Sequence, residues 1–278
     1  NPSGFPEKTQ ERPQETKNEG AKSSWQWGGY FKEETAYRTG APTGWSKNKN
    51  IGTAYIAGKF LDPVSFKLGG RAYYDAVFDL TDHYPVNVKK DQQSEAELRD
   101  AYFDISADHW DLRLGLQQIV WGEAVGAFVA DAVNPEDFRE FILPDFQQMR
   151  IPQWSANIEY ARGDSHLELV WLPILAFHRF AEYGSDFFIP PPATQGNRFS
   201  VAEIKEPADK LKNSAAGGRL AHIFSGWDIS LFYLDGWDHF PAFHRITSTG
   251  AALSYFPEHH RLAQFGLTLA KDWAGAVV

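Results

Sequence analysis

The sequence has no cysteine and one methionine in 278 residues. Disulfides, thiol catalysis and thiolate metal sites are therefore excluded, and haem ligation would fall to histidine alone. Basic charge is not in excess. Lys and Arg number 27 against 36 Asp and Glu, giving a net charge of −9 and a pI near 5.5. Nucleic-acid binding calls for the opposite balance. Long apolar runs are missing too, and mean hydropathy is −0.43. The longest candidate, Ile119–Val133, carries Glu123 and Asp131 and falls short of the roughly 18 apolar residues of a membrane helix. No G-x-S-x-G, phosphate loop or dinucleotide fingerprint occurs. The chain opens on Asn1-Pro2-Ser3 without a basic-then-apolar leader, which reads as a leader already removed or an incomplete sequence.

What is present is aromatic and alternating. Ten Trp, 11 Tyr and 21 Phe make up 15% of the chain, a content suited to aromatic belts at two membrane interfaces or to an aromatic-rich β-sandwich. From Val64 to Leu80 every second residue is apolar: Val64, Phe66, Leu68, Gly70, Ala72, Tyr74, Ala76, Phe78, Leu80. The residues between them include Lys67, Arg71, Asp75 and Asp79. Strand side chains alternate between faces, so this segment predicts a strand with one apolar and one charged side. Its length exceeds the usual five or six residues and meets the 9–11 of a tilted membrane strand. Trp110 to Gln117 repeats the pattern, with Arg113 on the polar side.

Asn1 to Ser24 is polar and reads as a disordered tail. Strands are predicted at Trp25 to Arg38, Ile51 to Phe60, Leu98 to Ser106, Trp110 to Gln118, Trp154 to Tyr160, His166 to Leu172, Gly218 to Phe224, Trp227 to Leu234, Ile246 to Phe256 and Arg261 to Lys271, besides the one from Val64. Thr81 to Ser94 and Pro173 to Ser214 read as loops. Short turns and long loops alternate, as in an outer-membrane barrel. The expected fold is all-β: a transmembrane antiparallel barrel over residues 25–278, incomplete at about 10–12 strands.

Trp121 to Gln153 breaks the alternation. Asn134 has the chemistry of an N-cap, Pro135 suits the first helical position, and Glu136 and Asp137 suit the first turn. A helix is expected from Pro135 to Ile142, ending before Pro144. The segment carries Glu123, Asp131, Asp137, Arg139, Glu140 and Arg150. A loop of this size either folds into the lumen, pairing with wall charges Lys67, Arg71, Asp75 and Arg113, or stays outside as a surface helix. The lumenal arrangement would place Arg139 and Arg150 against acids such as Asp75 or Glu123.

The stretch WGEAVGAFVADAVNPEDFREFILPDFQQMRIPQW (Trp121 to Trp154), with LELVWLP (Leu167 to Pro173) and GGYFKEETAYRT (Gly28 to Thr39), resembles an uncharacterised family of Gram-negative outer-membrane proteins. That family is catalogued as a domain of unknown function. The resemblance covers most of Trp25 to Val278. It implies a porin-like β-barrel, encoded beside RND-type exporters and moving hydrophobic or lipid-like compounds, with outer-membrane lipid as its surroundings and no cofactor. Members are longer than this chain.

Other constellations are weaker. His166 and Glu168 share a strand face, where a hydrogen-bonded pair is expected rather than a metal site lacking a third ligand. His259-His260 reads as a solvated turn. Asp235 to His239 lacks calcium-loop spacing. Glu33 and Glu34 point to opposite faces and cannot flank one glycosidic bond. Glu33 falls on the apolar side, at a membrane boundary or a bulge. The sequence thus points to an outer-membrane channel or transport component and not an enzyme. A secreted carbohydrate-binding or carbohydrate-active β-protein, and an outer-membrane enzyme using lumenal carboxylates, remain as alternatives.

Overall fold

The computed structural model describes residues 25–41, 43–121, 131–190, 199–247, 253–273 and 276–277. The expected N-terminal tail lies outside them, as does Glu123. Long alternating segments form strands because each presents one uniform face. The chain runs β1 (Trp25–Arg38), β2 (Gly44–Leu61), β3 (Val64–Asp75), helices α1 (Val77–Leu80) and α2 (Val86–Gln92), β4 (Ser94–Ala107) and β5 (Trp110–Gln117). The interrupting segment follows, with β6 (Asp137–Phe138) and α3 (Phe146–Met149). Next come β7 (Gln153–Arg162), β8 (Ser165–Leu172), β9 (Arg179–Phe180), β10 (Phe199–Val201), β11 (Ala215–Phe224), β12 (Trp227–Trp237), β13 (Ala242–Thr247), β14 (Leu253–Glu258), β15 (Arg261–Trp273) and β16 (Ala276–Val277).

One antiparallel sheet dominates, in the order β1-β2-β3-β4-β5-β7-β8-β11-β12-β15-β16. β10, β14 and β13 form a smaller sheet, and β6 pairs with β9. No helix of the described residues is long and apolar enough to cross a membrane. Among those residues the large sheet is open, without pairing between β1 and β16. The structure therefore carries the all-β antiparallel class but not the closed barrel.

Register aligns the apolar parity across the sheet. Trp27 faces Ile56, then Leu68, Ala101, Leu116 and Trp154. The row through Val64 continues over Ile105, Leu112, Ile158, Leu169, Gly218, Tyr233 and Phe265. Most of this face is exposed, Leu116 excepted: Trp27 is 85% accessible, Phe265 82% and Leu267 60%. On the other face Tyr73, Asp75, Asn157 and Glu168 are buried. In β4 the apolar parity would reverse midway, but one extra residue, Arg99, bulges between Leu98↔Gly70 and Asp100↔Gly69. That bulge keeps Glu95 and Glu97 on the same face as Asp100, Tyr102 and Asp104. Glu33 stays on the apolar face, in a polar row with Asn50 and Tyr74 beyond Phe31. The register shift of β1 comes later, at Ala36/Tyr37.

Several expected boundaries change. The strand from Val64 stops at Asp75 rather than Leu80, because Asp75 Oδ1 accepts from the backbone N–H groups of Asn48 (2.8 Å) and Val77 (3.0 Å). The chain then turns, and Val77 and Phe78 pack with Val88 and Tyr84. α2 occupies the expected polar loop. The single strand from Ile246 to Phe256 is instead the pair β13 and β14, with His244 opposite Phe256.

Glycine is required at Gly115. Its φ is +135°, and a Cβ there would lie 2.2 Å from the Ala101 carbonyl oxygen. Gly163, in the β7–β8 turn, has φ +58° and nothing within 4 Å. Gly115→Ala should cost more than about 2 kcal/mol and Gly163→Ala about 1 kcal/mol. Denaturant midpoints followed by tryptophan fluorescence check the order, and equal losses would refute the steric assignment.

Candidate functional site: the charged face and the segment that covers it

The polar face of β1–β5 is a lattice of opposite charges at strand spacing. Lys67 Nζ lies 3.0 Å from Asp100, Arg113 lies 2.8 Å from Asp104, and the Arg113 guanidinium sits 4.5 Å from the Tyr102 ring centre. Arg71 meets Glu97 at 2.6 Å and Arg99 meets the same carboxylate at 3.1 Å. Lys47 reaches Glu34 at 2.7 Å.

The interrupting segment lies against this lattice. Glu140 ion-pairs with both Lys47 and Lys49, the latter at 2.6 Å. Arg139 takes Asp137 (2.6 Å), Glu95 (2.5 Å) and the Asp91 carbonyl (2.7 Å). Burial works against the Arg139 charge, but the Asp137 and Glu95 carboxylates outweigh it and hold the guanidinium protonated. Arg179 completes the cluster at 2.5 Å from Glu95. Arg71 donates to the Gln148 carbonyl (3.1 Å), and Arg99 to those of Gln147 and Arg150 (2.7 Å each). These are carbonyls at the end of α3, which a helix leaves without intrahelical donors. At the root, Asn134 clamps the backbone N–H (3.2 Å) and carbonyl (2.5 Å) of Ile119, and Gln153 donates to the Val133 carbonyl (3.1 Å).

The helix expected from Pro135 to Ile142 does not form. The Asn134 side chain serves Ile119 instead of capping. Asp137 Oδ1 accepts from Arg139 N (3.0 Å), a turn two residues on. Glu136 and Asp137 are drawn into ladder contacts, with Arg179 N donating to the Glu136 carbonyl at 3.0 Å. The helical turn comes later, at α3. Tertiary partners override a valid local cap signal.

Of the residues singled out from the sequence, Arg71, Asp137, Arg139 and Glu140 meet in one cleft between wall and segment. Lys67 and Arg113 sit further along the same face. Asp131 and Arg150 form a buried ion pair with each other. Asp75 serves backbone N–H groups and does not hold either arginine. Lys47, Lys49, Glu95, Glu97 and Arg99 were missed. Lys47, Lys49, Glu95 and Glu97 precede the strand starts that alternation gives at Ile51 and Leu98, and Arg99 sits at a bulge that alternation does not show. The expected His166–Glu168 pair does not form: His166 bonds Glu159 (3.0 Å), and Glu168 accepts from Asn157 (3.1 Å). Asp235 is engaged by Arg261 (2.7 Å). His259 is buried, not solvated, its ring 4.0 Å from that of Phe177. Among the described residues no group of three or more potential ligands converges on a metal position.

The opposite half of the same face is apolar. Ile119, Trp121 and Val133 pack on Val170, Leu172, Phe232 and Leu234. Between the halves Glu136 is buried, and its backbone N–H donates to His178 Nδ1 (2.8 Å). Desolvation, with repulsion from Asp131, raises the Glu136 carboxyl to about 8, while Arg150 opposes the shift. Burial lowers His178 to about 4.

A family model described as "Protein of unknown function (DUF1302)" matches residues 59–276. The chain belongs to this family. A search of curated proteins finds no match.

The Glu136 environment sets a pH dependence. Its folded pKa of about 8 lies above the ordinary 4.5, so the folded state binds the proton more tightly. Stability from this group is full below about 4.5 and is lost as pH rises through 8. Glu136→Gln should therefore gain on the wild type progressively between pH 5 and 8.5, measured as unfolding midpoints. A pH-independent difference would place the carboxyl in water.

Proposed function

We propose that the chain forms the wall and constriction of a porin-like β-barrel in the bacterial outer membrane, acting as a channel or transport component and not as an enzyme. The observation that carries this reading is the inverted sheet, with an exposed apolar band outward and, on the inner face, charges along β1–β5 and a packed apolar cluster along β8–β12. Ten strands at 4.8 Å spacing and about three alternating repeats along each strand give a band of about 50 by 20 Å, or about 1000 Å². Monomers in water rarely expose more than a few hundred Å². At about 25 cal/mol per Å², leaving the band in water would forgo about 25 kcal/mol, more than the 5–15 kcal/mol stability of an ordinary domain. Lipid relieves this along the whole band. The lengths of β1 to β4, 12 to 18 residues, exceed what a tilted span needs.

On this reading the charged face is the lumen, and the 131–153 segment narrows it. Selectivity would come from Lys67, Arg71, Arg113 and the Arg139–Asp137–Glu140 cluster on one side. Hydrophobic or lipid-like cargo is what the family resemblance implies. An RND-type export system is the partner that the family resemblance implies. That the open sheet is part of a larger closed barrel belongs to the same proposal.

Fractionation tests it. The protein should sediment with outer membranes, require detergent, and migrate differently on a denaturing gel before and after boiling. Folded recovery in detergent-free buffer would sink the proposal and return exposed Trp27, Trp154 and Trp171 to the carbohydrate-binding alternative. Leu68→Arg should cost about 2–4 kcal/mol near the bilayer midplane. Arg71→Leu should be milder, because Glu97 keeps Arg99. Folding yields into liposomes that reverse this order would mean the faces are assigned the wrong way round.

A further inference from the structure

We infer that His244 and His260 form a two-imidazole site for a divalent transition-metal ion. The two Nε2 atoms face each other at 3.2 Å, with ring centres 5.5 Å apart and planes at 84°. Both side chains are exposed. Metal–imidazole bonds of about 2.0–2.1 Å place two nitrogens about 3.3 Å apart in a tetrahedral site and about 2.9 Å apart in a square one. The observed separation falls between these values.

Both residues are held from the backbone. His244 sits in β13, opposite Phe256 of β14. His260 lies in the two-residue link between β14 and β15, and its carbonyl accepts from Asp238 N at 2.9 Å. The neighbouring His259 ring is fixed on Phe177 and bonds through Nδ1 to the Asp238 carbonyl at 2.7 Å. The link therefore has little freedom to rotate away. No third side chain converges among the described residues. Glu258 shares the His244 face of the hairpin but reaches toward Lys205 at 3.4 Å. Water or an exogenous ligand completes the coordination, which favours Cu²⁺, Ni²⁺ and Zn²⁺ over the oxygen-seeking Mg²⁺ and Ca²⁺. A bound ion would cross-link β13 to the head of β15, fastening the small three-stranded sheet to the main wall. The competing account of the same geometry is a direct Nε2–H···Nε2 hydrogen bond at the long end of the normal range.

The test uses the untagged full chain in detergent at pH 7.5, titrated calorimetrically with Ni²⁺ and with Cu²⁺. The expected result is one ion per chain, with binding weakened at least tenfold by His244→Ala and by His260→Ala. His83→Ala, at an exposed histidine elsewhere, should leave it unchanged. Ni²⁺ should also raise the unfolding temperature of the wild type and of neither pair variant. Binding that survives either substitution overturns the site and assigns the pair to the hydrogen bond.

Discussion

A β-strand repeats every two residues, and the rest of this molecule depends on which parity carries charge. A slip of one residue would move every lysine and glutamate to the other face. The chain guards against this with geometry more than with hydrophobic burial. The Arg99 bulge resets β4, and Gly115 lets β5 approach the Ala101 carbonyl where no side chain fits. Pairs such as Lys67–Asp100 and Arg113–Asp104 then bind only the correct register.

The segment after β5 is the counterpart of that lattice. Its acids find lysines on β2, and wall arginines cap the end of α3. Buried ion pairs contribute little net stability once desolvation is counted, but breaking one is costly. Their effect here is placement. Glu140 between Lys47 and Lys49, and Arg139 between Asp137 and Glu95, fix one position for the segment on the face. Asn134 and Gln153 fix its two ends. The apolar half, around Trp121 and Phe232, needs no such specificity and packs as an ordinary core.

Much of this was legible in the residues. Strand parity, the apolar band and the break at Trp121 follow from alternation alone. The charges brought together at the cleft were named in part for the same reason. What escaped notice was non-local. Asp75 ends its strand by bonding Asn48, a residue 27 positions away. The Asn134-Pro135 helix signal is sound locally and loses to Ile119 and Arg179. Glu95 and Glu97 were hidden behind a polar stretch that folds as α2, and the bulge that keeps them on the charged face has no signature until β3 supplies the register. His259 looked like a solvated turn because nothing in its neighbours announces Phe177.

The native lack of cysteine makes the central claim directly measurable. Single cysteines can be placed at Leu68, Leu114, Leu169 and Leu231 on one face, and at Arg71, Asp104, Asn157 and Ser230 on the other, without removing a native thiol. Each is labelled with an environment-sensitive fluorophore in lipid vesicles and quenched by brominated lipid or by aqueous iodide. The account predicts that the first four are quenched by lipid and shielded from iodide, with the other four unaffected by lipid. Lipid quenching that ignores strand parity, or that favours the charged face, would contradict it.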